Sequence, residues 1–314
     1  MSTVPAPEHS AFDPSSRPSV SLVLGAGGAR GLAHIGVIEV LEARGYRIVG
    51  IAGSSMGALV GGIHAAGKLR AYRDWVLALD RRDVLRLLDF AFGHPGLIKG
   101  ERVLAVLRDL VGEHRIEELP IPFTAVATDI RSRREIWLNK GPLFDAIRAS
   151  IAIPMVFTPQ RLMGRELVDG GLLAPVPIAA TRQVHADLVV AVDVNARPEG
   201  PRFPPRNGGP SAEPTESAGK RQALRERIEK FLDGLLGKDE DQPSQTTGLV
   251  DLMARSLDVM QSQISRMQLA LDPPDLMIRV PHDSCLFYEF WRAAELIRRG
   301  REIANAALDA FEAR

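Results

Sequence analysis

Residues 48–67 decide how this chain folds: Ile48-Val49-Gly50-Ile51-Ala52-Gly53-Ser54-Ser55-Met56-Gly57-Ala58-Leu59-Val60-Gly61-Gly62-Ile63-His64-Ala65-Ala66-Gly67. The stretch holds no Asp, Glu, Lys or Arg, and Gly57 with Gly61 forms a G-x-x-x-G. Length and apolarity suit a membrane-spanning helix, which needs about 20 apolar residues. The glycine content argues the other way. Six glycines, Ser54, Ser55 and His64 interrupt the run, and a glycine costs a helix interior about 1 kcal/mol relative to alanine. The stretch therefore reads as a buried strand over residues 46–52, a tight turn, and a helix over residues 58–66 that packs closely through small side chains. The turn is Gly53-Ser54-Ser55-Met56-Gly57, a G-x-S-x-G between strand and helix. That context is a nucleophile elbow, in which the middle serine, Ser55, points its hydroxyl off the turn.

Upstream, Val20–Leu24 is a short apolar run ending in glycines, and residues 32–43 carry apolar side chains at helical spacing. Strand, helix, strand, helix with short turns predicts an α/β fold with a mainly parallel sheet covered by helices. Downstream, residues 71–90 and 101–111 read as helices, 121–129 as a strand with 135–138 pairing beside it, and 144–152 as a helix stopped before Pro154. Residues 165–168 lead into Asp169-Gly170-Gly171, and residues 188–194 form a Val-rich buried strand. Pro, Gly, Ser and Glu then dominate residues 197–219, the composition of a linker. A late strand over 276–280 rejoins the sheet between a long helix, 249–271, and a closing helix, 288–311. The expected organisation is a disordered tail at 1–18, a catalytic core at 19–196, a flexible insertion at 197–248 containing an amphipathic helix, and a completing segment at 249–314.

Two further motifs frame Ser55. Gly25-Ala26-Gly27-Gly28-Ala29-Arg30-Gly31 lies between a strand and a helix. Backbone N–H groups at such a turn are free to bind an anion. Gly27, Gly28, Ala29 and Arg30 are the candidate oxyanion hole, each donor worth roughly 3 kcal/mol to a tetrahedral intermediate, and the Arg30 charge is placed to meet a phosphate or carboxylate of a substrate. The loop also resembles the dinucleotide fingerprint G-x-G-x-x-G. Arg30, however, stands at the third glycine, and the second strand ends without the acid that fingerprint needs. Asp169-Gly170-Gly171 alone is a turn former; its weight comes from the other two motifs.

A serine hydrolase ordinarily uses a histidine base. Of the seven histidines only His185 and His282 follow Asp169, as the α/β-hydrolase order requires, and neither sits in a distinctive motif. That fold also places more strands ahead of its elbow. The alternative is a carboxylate that contacts the serine directly, partly desolvated so that its pKa rises.

With these motifs in this order, the chain resembles bacterial patatin-like phospholipases, over residues 20–194 and again near Leu276. Val126-Ala127-Thr128-Asp129, Arg148-Ala149-Ser150-Ile151-Ala152-Ile153-Pro154 and Pro175-Val176-Pro177 extend the likeness. The resemblance implies a three-layer α/β fold with helices on both faces of a mainly parallel sheet. It implies Ser55 as nucleophile and Asp169 as base, with Gly53, Gly57, Gly170 and Gly171 supporting them, and hydrolysis of phospholipid, lysophospholipid or other fatty acyl esters without cofactor or metal. Ala26, Met155 and Ala174 depart from the family's usual Gly, Gly and Asn.

Composition bounds the partners. Hydrophobic residues at 45% and charged residues at 25% are ordinary for a globular protein, and a net charge of 0 gives no field toward nucleic acid. A single cysteine, Cys285, forbids an internal disulfide and points to a reducing, cytoplasmic setting. Peripheral contact with the inner membrane face is left open by two segments. One is the apolar Leu85–Phe92 run before Gly93-His94-Pro95-Gly96, a candidate lid. The other is the amphipathic stretch 220–236. For each, a face packed on the core is the competing reading. The Met-rich helix 249–271 leaves a homodimer open. The reading from another functional class is a non-catalytic regulator that keeps the fold to bind lipid or protein; intact Ser55 and Asp169 argue against it.

Overall fold

The computed structural model describes residues 18–89, 98–197 and 249–314, with the side chains of 249–255 excepted. The expected tail, the tip of the candidate lid, the linkers and the amphipathic stretch 220–236 lie outside the described residues.

β1 (Ser19–Leu24) and β2 (Arg47–Ser54) are parallel neighbours at the centre of an eight-stranded sheet. β7 (Leu188–Ala196) lies parallel on the far side of β1, and β8 (Leu276–Pro281) lies parallel beyond β7. The late strand thus rejoins the first sheet. Every residue of β1 is buried, as expected for a parallel strand covered on both faces, and this explains its unbroken apolar run. Leu22 and Leu24 enter the main core with α1 (Ala33–Ala43) and α2 (Met56–Ala65), while Val23 faces a smaller cluster with Val176, Ile178 and Ala191. Each fully buried Leu or Ile contributes about 1.5–3 kcal/mol. α7 (Leu249–Leu271) lies against the second face, where Leu269 packs on that smaller cluster. α8 (Ala293–Glu312) packs on α1 over the first face, burying Leu296, Ile297 and Leu308.

The other half of the sheet is mixed. β3 (Phe123–Asp129) runs parallel to β2, and β4 (Arg134–Leu138) and β6 (Arg165–Asp169) run antiparallel to β3. Register places two of these strands on one edge. Val126 is flanked by Trp137 of β4 and Ser54 of β2, whereas Ala127 is flanked by Ile136 of β4 and Asp169 of β6. β2 and β6 therefore share the same edge of β3 and approach each other head-on, with their C-terminal ends meeting at adjacent positions.

Three local expectations needed correction. Residues 71–90 are not one helix: α3 (Leu69–Ala78) ends and α4 (Arg81–Leu87) restarts. Asp80 causes the break. Its carboxylate accepts the Asp83 N–H at 2.8 Å, and the Asp83 carboxylate accepts the Asp80 N–H at 3.3 Å. This reciprocal cap begins a new helix in spite of the continuing apolar period. β5 (Gln160–Leu162) was not foreseen. It pairs antiparallel with β6 through Met163-Gly164, both at positive φ (51° and 71°), the requirement of a type I′ hairpin. The closing helix begins at Ala293 after a 3₁₀ turn at Phe290–Arg292. α5 (Glu101–Val111) has the predicted bounds, and α6 (Leu143–Ser150) ends before Pro154. Among the described residues, no helix is long and apolar enough to cross a membrane.

Candidate active site

Ser55 sits at the junction of β2 and α2 with φ 55° and ψ −124°. A non-glycine residue holds such a conformation only where its surroundings impose it, at about 1–3 kcal/mol. Here the neighbouring backbones are too close for any other path. A Cβ added to Gly57 would lie 2.0 Å from the Leu24 carbonyl oxygen, so only glycine lets α2 start against the end of β1. The Ser55 N–H donates to the Ser150 hydroxyl at 3.0 Å, which in turn donates to the Val126 carbonyl at 2.5 Å. Ser150 thus ties the turn to β3. Ser54 is the structural neighbour, its hydroxyl engaged with the Ala174 carbonyl at 2.6 Å.

Asp169 arrives from the opposite direction at the end of β6. Its N–H donates to the Ala152 carbonyl at 2.9 Å, and its Oδ1 accepts the Gly171 N–H at 2.7 Å. Ser55 and Asp169 are only 3% and 2% exposed, so both are withdrawn from bulk water, and they line one cavity of about 70 Å³. Burial pushes the Asp169 carboxyl up from 3.8 to about 6, with the nearby Ser55 hydroxyl and the Gly171 N–H pulling it partly back. The hydroxyl is near enough to favour the charged carboxylate without reaching full hydrogen-bond geometry, since Oδ2 is buried and has no bonded partner. Gly170 lets β6 end flush on β3, where an added Cβ would meet the Val126 carbonyl oxygen at 2.1 Å.

The Gly-rich loop borders the same cavity and narrows the expected donor set. The N–H groups of Gly25 and Ala26 donate to the Val192 and Pro175 carbonyls, at 2.9 and 2.8 Å, and the Ala29 N–H donates to the Phe287 carbonyl at 2.8 Å. Ala29, one of the predicted donors, is therefore engaged. Gly27 and Gly28 have N–H groups with no acceptor among the described residues, and Gly28 holds φ 55° with Phe287 against its α-carbon. Arg30 lines the same cavity, but its guanidinium is already engaged. It is 4% exposed; its Nε donates to the Gly27 carbonyl at 3.1 Å, Nη1 to the His282 carbonyl at 2.9 Å, and Nη2 pairs with Asp258 at 3.3 Å. Its position braces the loop. Ala26 avoids positive φ, consistent with alanine there, and its carbonyl accepts from Asn195 at 2.9 Å. Met155 holds φ 69°, a left-handed conformation that explains why glycine is the expected residue.

A second cavity, of about 210 Å³, also reaches Ser55. Leu32, Met56 and Leu59 line it near the serine, and Trp75, Leu107 and Trp291 line it further away. One wall is pinned by Arg148, whose Nε donates to the Lys99 carbonyl at 2.9 Å and whose Nη2 donates to the Thr158 carbonyl at 2.8 Å. Asp129, from the Val126–Asp129 stretch, accepts the Arg131 N–H and pairs with Arg165, so it caps a turn away from the cavities. None of the histidines among the described residues lines either cavity. His34 and His64 are buried elsewhere and held down to about 4 by desolvation, and His282 contacts the Ala196 carbonyl at 3.2 Å through Nδ1. No group of three or more His, Cys, Asp or Glu able to hold a metal occurs among the described residues.

Sequence reasoning missed five residues that line or support the site. Ser150 lay inside a quoted stretch but had no role; a hydroxyl on an otherwise apolar helix face was the available signal. Phe287, and the α7 residues Leu257, Asp258 and Gln261, line the smaller cavity from segments with no motif, and nothing local in the sequence marked them.

Residues 22–182 match the family model for patatin-like phospholipases. An uncharacterised NTE family protein of Mycobacterium tuberculosis is 42% identical over 350 aligned residues, covering 98% of this chain and 96% of the relative. A patatin-like phospholipase domain-containing protein of Caenorhabditis elegans is 32% identical over 190 residues, 57% of this chain and 14% of that protein. Neuropathy target esterase sws of Drosophila melanogaster is 29% identical over 188 residues, 57% of this chain and 13% of that protein.

Proposed function

Because this chain belongs to the patatin-like phospholipase family, which implies lipid acyl hydrolase activity, we propose that it cleaves fatty acyl esters with a Ser55–Asp169 dyad. The observation that carries this reading is the head-on approach of β2 and β6 on one edge of β3. It sets the end of one strand, bearing a strained serine, against the end of another, bearing a buried aspartate with a free oxygen.

In this reading the acyl chain lies in the larger apolar cavity, with its carbonyl oxygen toward the Gly27 and Gly28 N–H groups. Ser55 Oγ attacks the carbonyl carbon as its proton passes to Asp169 Oδ2. Charge develops on the carbonyl oxygen, where two preorganised donors are worth several kcal/mol of barrier at roughly 3 kcal/mol each. The intermediate collapses, the alcohol leaves with the proton from Asp169, and an acyl ester remains on Ser55. Water then attacks that ester with Asp169 again as base, releasing the fatty acid and restoring the hydroxyl. A carboxylate near 6 suits this cycle, because a base works best with its pKa near the operating pH. The esterase name of the Drosophila relative agrees with ester cleavage. Peripheral contact with a lipid surface and a cytoplasmic setting belong to the same proposal.

The test is hydrolysis of short and long acyl p-nitrophenyl esters by wild type, Ser55→Ala and Asp169→Asn. Turnover by wild type, with both variants at background, supports the dyad. Activity retained by Asp169→Asn removes Asp169 as base and overturns the dyad. Wild type silent on every ester, in detergent or with vesicles, favours a binding module instead.

A further inference from the structure

Two cavities meet at Ser55, and they differ in kind. The larger is walled mainly by aliphatic and aromatic side chains, with Arg81 among its lining residues. The smaller is bordered by Gly27, Gly28, Ser55 and Asp169 and by Asp258 and Gln261 of α7, and apolar residues shared with the larger cavity help complete its wall. α7 lies beyond the residues matched by the family model. If the acyl chain fills the apolar cavity, the alcohol half of the ester falls into the smaller one.

The charges of that smaller cavity restrict what it accepts. Arg30 is the one cation among the described residues that line it. Its guanidinium is buried and already engages two carbonyls and Asp258. The Asp258 side chain is 45% exposed, so it presents negative charge to whatever enters. An anionic headgroup would lose hydration there without gaining a free cation, and an unpaired charge taken out of water is costly. Reaching Arg30 would require breaking its pair with Asp258 and loosening its bond to the Gly27 carbonyl, at the base of the loop that carries the two free N–H groups. A hydroxyl, by contrast, donates well to a carboxylate, and the Gln261 amide both donates and accepts. Asp169 beside Ser55 adds negative charge once ionised.

Resting on the hydrolase reading above, we infer that this cavity is the alcohol subsite, that Asp258 and Gln261 set its selectivity, and that it takes hydroxyl-bearing leaving groups without net negative charge, such as glycerol, over anionic phosphate esters of the same alcohol. Asp258 and Gln261 act here as specificity residues that touch the leaving group and take no part in bond breaking.

The experiment compares kcat/KM for monooleoylglycerol and monooleoylglycerol phosphate in neutral detergent micelles, using full-length wild type, Asp258→Asn and Gln261→Glu. The acyl chain is common to both esters, so the ratio isolates the alcohol side. A ratio measured within one preparation cancels its active fraction, so a variant that folds in part still reports. One unit of charge a few ångströms away in a partly screened site predicts a wild-type preference of about tenfold for the neutral ester. Asp258→Asn removes that charge and releases Arg30, narrowing the preference to about threefold or less, while Gln261→Glu widens it. A wild-type ratio at or below one, or a ratio that Asp258→Asn leaves unmoved while turnover persists, overturns the subsite. Wild type that cleaves neither these esters nor the p-nitrophenyl esters overturns the hydrolase reading and this inference with it.

Discussion

Replacing Asp169 with asparagine is expected to stabilise the fold at neutral pH while it removes activity. The carboxyl is buried, and its value of about 6 stands against 3.8 when the chain is unfolded and solvated. Burial is the leading cause, so folding disfavours the charged form. Below pH 3.8 the group is neutral in both states and no penalty applies. Between 3.8 and 6 the folded state holds the proton more tightly, so stability falls as pH rises, and above 6 the penalty is complete. At 1.36 kcal/mol per pH unit across that window, the full penalty is about 3 kcal/mol, of which about half is already present at pH 5. Asparagine has nearly the same shape, and its Oδ1 keeps an acceptor for the Gly171 N–H. Any fixed cost of the new amide is the same at every pH, so the informative quantity is the change with pH. Thermal melts of wild type and Asp169→Asn at pH 5 and pH 8 should show the variant gaining about 1–2 kcal/mol relative to wild type between the two. That gain is about 3 °C in Tm for a chain of this size. All other titrating groups are common to both proteins and cancel. A Tm difference that is the same at both pH values, or that shrinks toward pH 8, would refute the claim that Asp169 is a buried group neutralised in preference to ionised.

Three further outcomes follow from the same geometry. With Asp169 as the base proposed above, the kcat/KM for a soluble ester should rise with an apparent pKa of about 6 and level off above pH 7, because a base must be ionised to accept a proton; a profile flat from pH 5 to 8 excludes that role. Ser55→Gly removes the hydroxyl and the φ 55° strain together, so hydrolysis should vanish while stability to urea rises by about 1 kcal/mol; an unchanged or lower midpoint shows that the elbow is not strained. Gly57→Ala forces a methyl to within 2.0 Å of the Leu24 carbonyl oxygen and should lose about 2–3 kcal/mol in the same titration, because the contact is with backbone that has no rotamer to yield.

The sequence by itself determined the local grammar of this protein. Gly53-Ser54-Ser55-Met56-Gly57 between an apolar run and a small-residue helix specifies a strand, a sharp turn and a helix start, since each choice is made by neighbours within a few positions. The same holds for the β1 run, the parallel sheet it implies, and the turn at Asp169-Gly170-Gly171. Where a short-range signal competed, periodicity misled: the cap at Asp80 divided a helix that apolar spacing alone would continue. Which of these pieces meet was settled by long-range packing. Ser55 and Asp169 come together because β2 and β6 occupy successive positions along one edge of β3, a register set by long-range pairing that no local pattern encodes. The Phe287 carbonyl takes the Ala29 N–H, and Asp258 of α7 takes Arg30. A loop read from sequence as four donors and a free positive charge presents, among the described residues, the unpartnered N–H groups of Gly27 and Gly28 and a braced guanidinium. Hydrogen-bond partners far apart in the chain are chosen by packing, and that the Gly27 and Gly28 N–H groups have no acceptor among the described residues is visible only once the chain is folded.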